Sequence, residues 1–233
     1  LKAFKPAVRT DSSFNLIRAR HPLIDPQKCV PVDIALGGEY DSLIITGPNT
    51  GGKTVSLKTA GLLVLMAMCG MMIPASENSV IGMFDELYVD IGDEQSIEQS
   101  LSTFSSHMTN IARILRTADE KSLIMLDELC SGTDPVEGSA LAVSILDEFR
   151  KRDCKVIATT HYQEVKMYAI KTDNVENASC EFDIKTLRPT YRVIVGMPGK
   201  SNAFAISSKL GISSDIIDNA KELVSTEDKR FEE

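Results

Sequence analysis

The sequence has no C-x-x-C pair, no internal repeat, no low-complexity segment and little positive charge. Its five cysteines, Cys29, Cys69, Cys130, Cys154 and Cys180, are odd in number and far apart. That argues against a disulfide framework or a zinc site and for a reducing cytosol. Lysine and arginine number 25 against 33 aspartates and glutamates, a formal net charge of −8. Nucleic-acid affinity rests on Lys and Arg neutralising phosphates, so a domain this acidic is a poor nucleic-acid binder by itself. The longest uncharged run, Thr59 to Ser76, contains Gly70 and Pro74 and continues a helix, which reads as a buried helix and not a membrane span. The chain starts at Leu1, not Met, shows no basic–apolar–small pattern of a signal peptide, and reads as a piece of a longer protein. There is no H-x-H or HNH-like set, so nuclease activity is not expected of this piece.

What is present is a chain of 233 residues, 43% of them hydrophobic, enough for one large α/β domain with its own core. Its most informative stretch is Gly47-Pro48-Asn49-Thr50-Gly51-Gly52-Lys53-Thr54, which fits the phosphate-loop pattern G-x-x-x-x-G-K-[ST]. A short apolar run, Leu43-Ile44-Ile45-Thr46, precedes it as a strand, and an apolar segment from Val55 to Met72 follows as a helix. Strand, glycine loop and helix is the context this motif requires. Glycines let backbone N–H groups close around phosphate oxygens, and the helix N-terminus adds partial positive charge. Lys53 can reach the β- and γ-phosphates, and the Thr54 hydroxyl can ligate Mg²⁺.

Residues 1–40 form a β-rich lead-in punctuated by Pro6, Pro22, Pro26, Pro31 and Gly37-Gly38, suited to covering the nucleotide and supplying base contacts. Residues 41–165 form the nucleotide-binding core. Apolar residues at Leu101, Phe104, Met108, Ile111 and Leu115 predict a helix over 97–115, and Glu137–Arg150 predicts another. Ser122–Glu128 and Lys155–His161 read as buried strands. Strands alternating with helices predict a mostly parallel sheet, with ligand-contacting residues at the strands' carboxyl ends. Residues 175–196 read as antiparallel strands, and Ala203–Leu210 and Asp215–Val224 as helices of a C-terminal part spanning 175–225.

Leu123-Ile124-Met125-Leu126 followed by Asp127-Glu128 forms a Walker B pattern. Asp127 would hold Mg²⁺, and Glu128 would polarise the attacking water. His161 ends the next strand and reads as a γ-phosphate sensor, or as a structural histidine. Gln95 reads either as a Mg²⁺- or water-sensing loop residue or as a surface amide. Ser102-Thr103-Phe104-Ser105 starts a helix; Ser102 either caps it or presents its hydroxyl to a second nucleotide's γ-phosphate.

Together, Gly47–Thr54, Asp90–Met108, Leu126–Pro135 and Thr159–Tyr162 resemble the ATPase domain of the MutS family. Thr50 and Thr54, the run Asp90-Ile91-Gly92-Asp93-Glu94-Gln95-Ser96, and Pro198-Gly199-Lys200-Ser201-Asn202-Ala203-Phe204 point to the second bacterial branch, outside mismatch repair. The resemblance covers nearly the whole chain. It implies an ABC-type P-loop ATPase head that uses Mg²⁺ and ATP, releases ADP, and pairs with a second copy about a two-fold axis. Ser102 of one protomer would then complete the other's site in trans. Gln95 stands where the mismatch-repair branch has a Mg²⁺-loop acid, Ser100 and Leu101 where it has Gly-Arg, and Cys130 where many relatives have Gly. The implied partners are branched DNA or ribosomes, reached through regions absent from this chain.

The leading expectation is an ATP hydrolase whose head dimerisation moves attached binding regions. The alternative is a slow nucleotide-gated clamp in which occupancy is the signal. A transporter subunit fits poorly, because no L-S-G-G-Q signature is present.

Overall fold

The computed structural model describes residues 2–47, 51–92, 103–183, 186, 188–199 and 202–230. In chain order the elements are β1 (Ala7–Val8), β2 (Phe14–Ala19), β3 (Val32–Leu36), β4 (Ser42–Thr46), α1 (Lys53–Met68), β5 (Val80–Ile81), β6 (Glu86–Asp90) and α2 (Thr103–Thr117). There follow β7 (Ser122–Leu126), α3 (Pro135–Lys151), β8 (Lys155–Thr159), α4 (Gln163–Lys171), β9 (Val175–Asp183), β10 (Arg188–Val195), α5 (Ala203–Lys209) and α6 (Ser214–Arg230).

Six strands form the central sheet in the order β10-β9-β4-β8-β7-β6. Pairing is parallel from β9 through β6, and β10 alone runs antiparallel. The α/β class with a mostly parallel sheet is therefore as the sequence predicts. All five residues of β4 and of β7 are buried, as a parallel strand with both faces covered requires. Alternation divides them between two cores. Leu43, Ile45, Leu123 and Met125 pack with α1 and with β2 and β3 on one face. Ile44, Ile124 and Leu126 pack with α2, α3 and α4 on the other, around Phe149.

A second sheet, β1-β5-β2-β3, lies over α1. Its strands β2 and β3 alternate buried and exposed residues, the mark of a sheet covered on one face. β5 comes from after α1, so the lead-in sheet is not confined to residues 1–40.

One expectation is extended, one is corrected, and one element was not anticipated. Residues 175–196 do form an antiparallel pair, but β9 also pairs in parallel with β4 and so belongs to the central sheet. α1 ends at Met68, four residues before Met72. Gly70 takes φ 75, its N–H bonds Ala67 O, and Met71 N–H bonds Met66 O, the paired bonds that close a helix through a left-handed glycine. α4 was not anticipated: its nine residues bury only Val165 and Ala169, too short an apolar stripe to read. No helix among the described residues is long and apolar enough to cross a membrane.

Candidate functional site

The carboxyl ends of β4, β7 and β8 meet at one edge of the sheet. β4 delivers Gly47, which leaves the strand at φ 126. Gly52 follows at φ 94 as the residue before α1. A Cβ on Gly52 would stand 2.7 Å from the Tyr191 ring, so glycine is needed there both for its backbone and for close approach. Pro48, Asn49 and Thr50 lie outside the described residues, as do Gln95 and Ser102.

Lys53 opens α1 and is 1% exposed. Its Nζ donates to Gly47 O at 2.7 Å and lies 3.0 Å from Nε2 and 3.3 Å from Nδ1 of His161. Burial pulls its pKa down to about 8, against the opposing pull of Glu128 and Asp127. His161 is also shifted downward, first by burial and then by the Lys53 charge. A neutral imidazole can accept from the ammonium beside it. Glu128 Oε1 stands 3.7 Å from His161 Nε2, with both side chains well exposed.

Thr54 Oγ1 donates to Asp127 Oδ2 at 2.7 Å. Ligands 2.0–2.1 Å from a six-coordinate Mg²⁺ stand about 2.9 Å apart when adjacent, so this hydroxyl and carboxylate fit as neighbouring ligands. Asp127 Oδ1 accepts from Thr159 Oγ1 at 2.6 Å, and the same hydroxyl accepts Glu128 N–H at 2.8 Å. Glu128 and Cys130 take φ 49 and 59, the left-handed region that favours glycine. Tyr162 Oη donates to Cys130 O at 2.8 Å and holds this segment from α4's side.

Two further ties reach the site. Asp127 N–H bonds Asp90 O at the end of β6. The buried Asp90 carboxylate pairs with His107 Nδ1 at 2.8 Å and accepts from Asn110 Nδ2 at 2.9 Å, fastening α2 to β6, the neighbour of the Walker B strand. From the other side, Gly199 N–H bonds Thr46 Oγ1 at 2.7 Å, and Lys166 Nζ bonds Gly199 O at 3.0 Å. A Cβ on Gly199 would meet Gly47 N at 2.8 Å, so the chain after β10 lies directly on the phosphate loop.

Beside α1's first turn is a cavity of about 360 Å³, lined by Ile24, Cys29, Val32, Gly52, Thr59 and Tyr191 among others. It is mostly apolar and opens next to the phosphate loop, as a nucleoside site would. His21 lies apart from it and its Nδ1 accepts Leu23 N–H at 3.3 Å, a turn contact.

Of the residues picked from sequence, the structure brings together Gly47, Gly51, Gly52, Lys53, Thr54, Asp127, Glu128 and His161. Beside them stand Thr159, Asp90 and Tyr162, which lie in the quoted segments without a role given to them, and Tyr191, which lies outside those segments. The hydroxyl pair Thr159-Thr160 ending an apolar strand was a legible signal for the first. Tyr191 had none, because its partner is 139 positions away (191 minus 52).

The family model described as MutS domain V matches residues 43–227. The chain is 63% identical over its whole length to the Endonuclease MutS2 of Caldanaerobacter subterraneus subsp. tengcongensis, covering 30% of that protein. It is 62% identical over its whole length to the Endonuclease MutS2 of Clostridium acetobutylicum and to that of Clostridium beijerinckii, again covering 30% of each. The chain thus spans about a third of the length of the curated relatives it matches.

Proposed function

The chain belongs to the MutS family, in the part described as domain V, a P-loop ATPase domain, and from that premise we propose that it binds Mg²⁺-ATP and hydrolyses it to ADP and phosphate. The observation that carries this is the convergence of buried Lys53, the Thr54–Asp127 contact and Glu128 at one sheet edge. Lys53 and the loop amides of Gly47–Thr54 hold the β- and γ-phosphates. Thr54 and Asp127 hold magnesium, which neutralises phosphate charge when bound. Glu128 orients the attacking water and takes its proton. His161 hydrogen-bonds the γ-phosphate, displacing its contact with Lys53. The cavity between the lead-in sheet and α1 takes the nucleoside.

We further assign to the chain the role of a single ABC-type head over residues 1–233, working in the cytoplasm. Two copies pair through their nucleotide sites, with Ser102 acting in trans and Gln95 beside the magnesium ion. Pairing controls DNA- or ribosome-binding regions carried elsewhere in a longer protein. The endonuclease of the relatives' name is said of those whole proteins; we assign no cleavage to this chain.

The test is turnover and size together. Glu128→Gln should retain ATP binding and lower turnover by about 100-fold or more. In light scattering with Mg²⁺-ATP it should shift from monomer to dimer. Unchanged turnover would sink the assignment of Glu128. In the wild type, a turnover time longer than the dimer's lifetime would favour the slow clamp over the hydrolysis-driven head.

A further inference from the structure

Thr159 lies outside the phosphate loop and the Walker B run, yet it touches the residues of the latter at three points. It is fully buried at the end of β8, the strand inserted between β4 and β7. Its hydroxyl donates to Asp127 Oδ1 at 2.6 Å and accepts Glu128 N–H at 2.8 Å, and its carbonyl accepts Leu129 N–H at 3.0 Å.

A threonine hydroxyl carries one proton. With the Glu128 amide directed at its lone pair, that proton is committed to the carboxylate. The β-branched side chain restricts χ1, so the hydroxyl is held in place before any ligand arrives. With Thr159 on Oδ1 and Thr54 on Oδ2, the Asp127 carboxylate is fixed in orientation and turns one oxygen toward Thr54. The second bond acts on the backbone. Glu128 sits at φ 49, a conformation that residues bearing a Cβ adopt only when their surroundings over-determine it. Thr159 supplies two of those surrounding bonds, at Glu128 and Leu129.

We propose that Thr159 is a positioning residue of the ATPase site: one hydroxyl presents Asp127 to magnesium and aims Glu128 at the attacking water. The proposal rests on the ATPase reading above and adds to it a residue that contacts neither nucleotide nor metal. Its signature is a split. Nucleotide held by Lys53 and the loop amides does not depend on Thr159, whereas the gain in affinity that magnesium provides, and turnover, both do.

The experiment measures binding of a fluorescent ATP analogue to the full chain, in chelator and across a magnesium titration, for wild type, Thr159→Val and Thr159→Ser. Partners of this kind behind a metal ligand are worth about 10–100-fold in metal affinity or activity. Thr159→Val should bind the analogue in chelator as wild type does, require about tenfold or more magnesium for half its effect, and lose turnover by a similar factor. Thr159→Ser should restore both. A wild-type magnesium requirement in folded Thr159→Val would overturn the proposal, as would a serine variant no better than valine. If valine prevents cooperative melting while serine permits it, the hydroxyl serves the fold and the positioning role is rejected. If wild type itself binds the analogue with no response to magnesium, the ATPase reading fails instead.

Discussion

Lys53 Nζ lies 3.0 Å from Nε2 of His161, across 108 positions of sequence, and the same ammonium donates to Gly47 O at 2.7 Å. This buried cation thus touches the Gly47 carbonyl and the His161 ring and also feels the charges of Glu128 and Asp127. On the ATPase reading proposed above, the phosphates of a bound nucleotide would add charge-assisted partners to this ammonium.

Proton uptake is the first consequence. Burial lowers the Lys53 pKa from 10.5 to about 8, so near pH 8.5 much of the nucleotide-free chain carries a neutral lysine. Bound phosphate favours the ammonium and raises that pKa. Calorimetry at about pH 8.5 in buffers of different ionisation enthalpy should therefore show a proton taken up on ATP binding, falling away toward pH 7 where the lysine is already charged. Affinity should decline as pH rises through 8. Equal uptake at both pH values would contradict this origin for the shift.

Replacing Lys53 by methionine keeps the side chain's bulk and removes its charge. One charge-assisted bond is worth about 1.5–3 kcal/mol, so ATP affinity should fall by roughly ten- to a hundredfold. The melting temperature should hold or rise, since a desolvated cation is gone. A large drop in melting temperature would mean that the ammonium's contacts with Gly47 and His161 are structural.

Gly52→Ala should be costly for two separable reasons. A left-handed φ of 94 is strained for alanine, and the new Cβ would stand 2.7 Å from the Tyr191 ring. Together they should destabilise the chain by about 1–3 kcal/mol and weaken ATP binding. Adding Tyr191→Ala should recover only part of the loss, because it removes the contact and leaves the backbone strain. Full recovery in denaturant melts would assign the whole cost to the ring.

Gly199→Ala tests the clasp on the phosphate loop. Its Cβ would press on Gly47 N at 2.8 Å and Gly47 Cα at 3.0 Å, backbone atoms that cannot rotate aside. The segment must lift, breaking the Gly199–Thr46 bond. ATP affinity should fall while the melt changes by no more than about 2 kcal/mol. Unaltered affinity would show that the loop tolerates the displacement.

Tyr162→Phe removes the hydroxyl that holds the Cys130 carbonyl. Stability should drop by about 1 kcal/mol, and turnover should drop without a matching loss of ATP affinity, because the left-handed Glu128–Cys130 segment loses a restraint. A variant with wild-type turnover would show that the segment keeps its working geometry without the Tyr162 bond.

The sequence by itself determined the pieces whose physics is local. A strand, a glycine loop and a helix start are consecutive, so Gly47–Thr54 could be read as a candidate phosphate loop. An apolar strand ending in Asp127-Glu128 is likewise local, and it marked those two carboxylates as candidates for a metal ligand and a base. Periodicity located β4, α1, β7, α3 and β8 to within a few residues, because each buries residues at its own repeat. What only the tertiary structure decided is which distant pieces meet. The insertion of β8 between β4 and β7 comes from packing helices on both faces of the sheet. It sets Thr159 against Asp127 and brings His161 to Lys53. The bulged β10 lays Tyr191 over Gly52, and β5 completes a sheet whose other strands precede α1. Those neighbours are fixed by long-range burial and strand pairing, which leave no repeat or spacing in the sequence to read.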